Sequence, residues 1–182
     1  MNTIVLPTDF SENALMACDF AVSHLADENT KLVLAHVYDI PHGGTSGLFY
    51  LLEEIKKQAE KDLDEFCKIL DERFKDVNLP IEKRLSQGDF SDRITQIAEE
   101  FDAKCIVMGT KGSSGIKEVL IGSSTIDLMK NLRRPLYVIP ENIKDLAINE
   151  VILSYDGKPL EEAAVKEMAA YKSKSQLPLR LM

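Results

Sequence analysis

Residues Met108 to Ser124 read MGTKGSSGIKEVLIGSS. The short apolar run Cys105-Ile106-Val107-Met108 predicts a buried strand, and the residues from about Ser123 to Asn131 predict a helix. Between them lie Gly109, Gly112, Gly115 and Gly122, four of the nine glycines in the chain. Glycine admits backbone angles closed to other residues and lets a ligand come close to the main chain. A strand, a glycine-rich loop and serines opening a helix place unpaired N–H groups and hydroxyls where an anion binds. Glycines alone fit a flexible surface loop equally well, so the surroundings must decide.

Upstream, Thr3 to Leu6 is a β-prone run stopped by Pro7, and Pro7-Thr8-Asp9 predicts a turn. Ser11 suits the N-cap of a helix whose apolar stripe runs Ala14, Leu15, Cys18, Ala21, Val22, Leu25. Lys31 to Tyr38 reads as a second buried strand, and Asp39 to Gly47 as a glycine-marked loop. A long helix is expected from about Leu48 to Phe74, with Leu52, Ile55, Ala59, Leu63, Phe66 and Leu70 on one face. Ile81 to Leu85 mixes apolar and charged residues, as an edge strand does. Gly88-Asp89 then turns into a helix presenting Ile94, Ile97, Ala98 and Phe101, and a fifth strand, Pro135 to Ile139, follows the glycine loop and its helix. Alternating strands and helices predict an α/β fold: a doubly wound five-stranded parallel sheet with helices on both faces. In such sheets ligands sit at the carboxyl ends of strands where the strand order reverses, so Pro7-Thr8-Asp9 and the glycine loop are expected to meet there.

Composition narrows the function classes. The chain has 182 residues, 45% hydrophobic and 29% charged, with a net charge of −8. No basic stripe marks a nucleic-acid binder and no apolar run has the length of a membrane span. The opening MNTIVLPTDF lacks a basic region and cleavage site, which makes a cytoplasmic location the expectation. Cys18, Cys67 and Cys105 sit among apolar neighbours and read as buried free thiols. His24, His36 and His42 fall on a helix, a strand and a loop, without metal-ligand spacing.

The C-terminal residues repeat the opening. Ile148 to Asp156 aligns with Met1 to Asp9 at a constant offset of 147 residues, and Leu179 and Leu181 fall on Leu32 and Leu34. Ala163 to Tyr171 reads as helical. The expected organisation is a domain over 1–142, a linker over 143–147 and the truncated start of a second copy over 148–182. Such a fragment cannot bury a core by itself. It is expected to dock on another copy or on its own domain, or to be poorly ordered. Lys172-Ser173-Lys174-Ser175 within it reads as a solvated turn.

Over roughly residues 1–142 the chain resembles the universal stress protein family. The resemblance rests on Gly109-x2-Gly112-x9-Gly122-Ser123, together with Ile4 to Ser11, Ala35-His36-Val37, Gly88 and Ile106 to Thr110. It implies the ATP-binding subtype, and the repeat resembles the second domain of tandem members. By position, Pro7, Thr8 and Asp9 would lie near adenine and ribose, and Val37 against the base. Met108 and Gly109 would form the floor, while Lys111, Gly112, Gly122, Ser123 and Ser124 would hold ribose and phosphates. ATP, with or without Mg2+, is the implied ligand, and a homodimer through Pro135–Ile139 the implied assembly; the sequence names no protein partner. The residue chemistry agrees: Asp9 accepts from hydroxyl or amino donors, and Lys111 offers a mobile cation. The same side chains taken singly also serve as turn caps, core and solvated surface.

Three functional classes follow. The leading one is a nucleotide-dependent regulatory or stress-response module. The second is a slow ATP hydrolase, disfavoured because neither a Walker motif nor Gly-x-Gly-x-x-Gly is present, leaving Asp9 as the single candidate base or magnesium ligand. The third is a dimerising interaction protein with a vestigial pocket.

Overall fold

The computed structural model describes residues 1–39, 48–110, 122–141, 147–153, 162, 165–166, 168–169 and 177–181, with 48–51, 153, 179 and 181 by their backbone. It divides into two compact units, Met1–Asn142 and Ile143–Met182.

In the first unit, β1 (Asn2–Pro7), β2 (Thr30–Tyr38), β3 (Ile81–Gln87), β4 (Cys105–Gly109) and β5 (Leu136–Ile139) form one sheet in the order β3-β2-β1-β4-β5. Every pairing is parallel. The central strands are near-continuous apolar runs because helices cover both faces: Ile4, Val5 and Leu32 through Ala35 are fully buried. Alternation along the strands sends Val5, Val33, Ala35 and Ile106 into one cluster. That cluster holds Ile94, Ile97 and Ala98 of α3 (Phe90–Glu100) and Leu128 of α4 (Ser123–Asn131). α1 (Glu12–Phe20) packs on β4 and β5, and α2 (Leu48–Arg73) on β2 and β3. The apolar stripe of α2 buries Ala59, Leu63, Phe66 and Leu70.

Local signals set the helix starts. Ser11 Oγ accepts from the Ala14 amide at 3.2 Å, and Asp89 Oδ1 from the Asp92 amide at 3.0 Å. Gly88 turns the chain from β3 into α3 at φ +130°, where a side chain would be strained.

The structure departs from the sequence expectation in several details: β3 runs to Gln87, past the expected Leu85, and β5 begins at Leu136, after Pro135. Pro7 belongs to β1 as its last residue, opposite Ala35, and the ladder continues one step through the Thr8 amide to Ala35 O at 2.9 Å. The first helix stops at Phe20 and gives way to a π-helical turn, Ala21–Leu25, closed by the Ala26 amide on Ala21 O. The extra residue in that turn carries Val22 and Leu25 off the buried stripe, and both are only half-buried. Cys18, Cys67 and Cys105 are buried free thiols, as expected.

The second unit holds β6 (Val151–Leu153) parallel to β7 (Leu179–Leu181). Glu162, Val165, Lys166, Met168 and Ala169 between them are helical. Residues 172–175 lie outside the described residues, as does most of the loop after β2. Among the described residues no helix is long and apolar enough to cross a membrane.

Candidate functional site

From β1 the chain builds outward through β2 and β3 on one side, then crosses to place β4 and β5 on the other. β1 and β4 are neighbours, with Val5 opposite Ile106, so the strand order reverses between them, the position at which open α/β sheets bind ligands. Pro7, Thr8 and Asp9 leave β1 at this end, and Met108 and Gly109 end β4. Val37 stands near the same end of β2 and packs, with Met108, on the cluster facing α3 and α4. The ends of β1 and β4 therefore lie side by side, while most of the glycine loop lies outside the described residues.

The turn after β1 is tied down at each residue. Thr8 is buried; its Oγ1 accepts from the Phe10 amide at 2.9 Å, and its carbonyl lies 2.7 Å from His36 Nδ1. Phe10 adopts φ +66°, an uncommon conformation for a bulky residue. Its ring packs 4.4 Å from the His36 ring and 5.9 Å from Phe66 of α2, centroid to centroid. Asp9 Oδ1 accepts from Ser11 twice, from the hydroxyl at 2.6 Å and the amide at 3.2 Å. Asp9 Oδ2 is buried and has no hydrogen-bond partner among the described residues.

The glycine loop is anchored just as firmly at its two ends. Gly109 lies so close to Asn13 of α1 that a Cβ there would stand 2.3 Å from Asn13 Oδ1. Asn13, itself buried, donates through Nδ2 to the Ile139 carbonyl at 3.0 Å, which also accepts from the Thr110 amide at 3.0 Å. The Thr110 carbonyl accepts from the Gly122 amide at 2.9 Å. That hydrogen bond joins the described residues on either side of 111–121. Lys111 and Gly112 fall within that span and lie outside the described residues. Gly122 is the N-cap residue of α4, and a Cβ there would sit 3.2 Å from the Thr110 carbonyl oxygen. Ser123 and Ser124 open the helix and are exposed, and among the described residues no side-chain cap is seen at this end. The N–H groups of this first turn lack intrahelical acceptors and carry the positive end of the helix dipole.

The thiols are chemically quiet: burial pushes Cys18 up to about 12 and Cys105 up to about 11. No group of three or more His, Cys, Asp or Glu that could hold a metal occurs among the described residues. Sequence reasoning assigns no role to Asn13, Phe10 or His36. The available signals are a polar residue in the first turn of an apolar helix and an ionisable one in an apolar strand.

Comparison with known proteins places this geometry. A model of the universal stress protein family matches residues 1–140. Universal stress protein MJ0577 of Methanocaldococcus jannaschii is 29% identical over 150 residues, covering 75% of this chain and 93% of that protein. A solved structure of hypothetical protein MJ0577 superposes with a TM-score of 0.67 at 24% identity, covering 79% of this chain and 98% of that one. A universal stress protein solved in complex with cAMP gives a TM-score of 0.55 at 25% identity, covering 76% and 96%.

Proposed function

The chain belongs to the universal stress protein family, and from that premise we propose that it is an adenine-nucleotide-binding regulatory module whose ligand is ATP, with or without Mg2+. The observation that carries this reading is the buried Asp9 Oδ2 at the switch point, which has no hydrogen-bond partner among the described residues. Leaving such a group unsatisfied costs about 1–3 kcal/mol, more when it is charged. A ribose hydroxyl or the adenine amino group is a donor of the kind it lacks. The relative solved with cAMP supports an adenine nucleotide as the ligand class.

In this reading Pro7, Thr8 and Asp9 hold adenine and ribose, and Val37 packs on the base. Met108 and Gly109 form the floor, and Lys111, Gly112, Gly122, Ser123 and Ser124 take ribose and phosphates. The edge strand β5 pairs with its copy in a homodimer, and residues 148–182 are the opening of a second copy of the domain.

Isothermal titration of ATP, with and without Mg2+, into wild type and Asp9→Ala tests the site. Binding by wild type that weakens at least about tenfold in a normally folded Asp9→Ala is the expected result, the loss of one charged hydrogen bond. If wild type takes up no ATP and the denatured protein releases no nucleotide, the reading fails.

A further inference from the structure

We propose that His36 is a positioning residue for Asp9, holding the turn after β1 so that Asp9 Oδ2 stays free for a ligand. The inference rests on the reading of Asp9 as the nucleotide acceptor and assigns the group that sets its orientation. A carbonyl oxygen can only accept, so the 2.7 Å contact to Thr8 O requires the proton on His36 Nδ1 and fixes the tautomer. That carbonyl belongs to the peptide joining Thr8 to Asp9, so the bond fixes the plane from which Asp9 projects. On the other side of Asp9, the His36 ring lies 4.4 Å from the Phe10 ring. Phe10 is the residue held at φ +66°, a conformation that persists only where its surroundings enforce it. His36 therefore grips the chain immediately before and immediately after Asp9. Relaxation of Phe10 to negative φ would swing the Asp9 carboxylate and break its two bonds from Ser11.

Three measurements on the full chain test this. Imidazole 15N shifts of wild type should report the Nδ1–H tautomer of His36; the Nε2–H tautomer would overturn the latch without any variant. His36→Phe keeps a ring beside Phe10 and removes the donor. In the nucleotide-free protein it should speed exchange of the Phe10 and Ser11 amides about tenfold, while the core amides of Val5 and Ile106 stay protected. Unchanged Phe10 and Ser11 exchange would again overturn the proposal. Finally, His36→Phe should weaken ATP binding about tenfold in the wild-type background and hardly at all in Asp9→Ala. Equal losses in both backgrounds would mean that His36 acts through general stability and not through Asp9. A wild type that fails to bind ATP would overturn the nucleotide reading and, with it, the ligand role of Asp9; the tautomer and exchange results would still decide whether the latch exists.

Discussion

At the scale of single residues, the site depends on backbone segments that approach too closely for side chains to intervene. Gly109 illustrates this: the constraint is space, since a Cβ there would lie 2.3 Å from Asn13 Oδ1 and 2.6 Å from its Cγ. Asn13 cannot simply move aside, because it is buried and bonded to the Ile139 carbonyl. Gly109→Ala should therefore destabilise the protein by about 1–3 kcal/mol, the usual cost of overpacking. In an Asn13→Ala background the same change should cost markedly less, and urea unfolding of the four proteins gives the coupling. Equal costs in both backgrounds would show that the close approach is not what fixes glycine here. The buried thiols make a second prediction. Burial raises the Cys18 and Cys105 pKa values above the ordinary 9.0, to about 12 and about 11. Between pH 9 and 11 the unfolded chain loses these protons while the folded chain keeps them, so stability should fall as pH rises through that window. Urea titrations at pH 8 and pH 10 should show the drop, and Cys18→Ala should lessen the pH-dependent part.

At the scale of elements, β5 is one of the two edge strands of the sheet. It is four residues long, ends the sheet order beyond β4, and leaves Leu136, Tyr137 and Val138 half-buried. An edge strand of this composition invites pairing with its own copy across a two-fold axis. Val138→Lys should then convert dimers to monomers in sedimentation velocity, without lowering the melting temperature of the monomer; an unchanged dimer would place the interface elsewhere. Most of the elements themselves are legible in the sequence. Ser11 announces the start of α1, Gly88-Asp89 that of α3, and Gly122-Ser123 that of α4, because caps and glycine turns are local chemistry written in local sequence. The π-helical turn at Ala21–Leu25 is not legible, since the stripe through Val22 and Leu25 fits an ordinary helix and nothing local marks the extra residue. Likewise, the glycine pattern marks Gly109 and Gly122, whereas the clamps Asn13–Ile139 and His36–Thr8 join residues 126 and 28 positions apart. Such partners are chosen by strand order, which a short window of sequence does not contain.

At the scale of the whole molecule, the second unit repeats the first at the level of register. Val151 pairs with Leu179, Ile152 with Arg180 and Leu153 with Leu181; 147 residues earlier, Ile4 pairs with Leu32, Val5 with Val33 and Leu6 with Leu34. The burial does not repeat. Ile152 and Val165 are 46% and 47% exposed, whereas Val5 and Cys18 at the matching positions are 0% and 1% exposed. In the first unit the Val5 face is covered by α3 and α4, and β4 pairs along the free side of β1. A two-stranded ribbon by itself is marginal in water. The amides of Val151 to Leu153 should accordingly exchange orders of magnitude faster than those of Ile4 to Leu6, in line with the gap between local and global opening. A chain ending at Asn142 should keep the melting transition of the first unit within about 2 °C, because the buried residues of the five-stranded sheet all lie before Asn142. It should also bind ATP as the full chain does, since every residue proposed for the site lies before Asn142. Protected Val151–Leu153 amides together with a destabilised 1–142 chain would mean instead that the second unit is part of the core that carries the site.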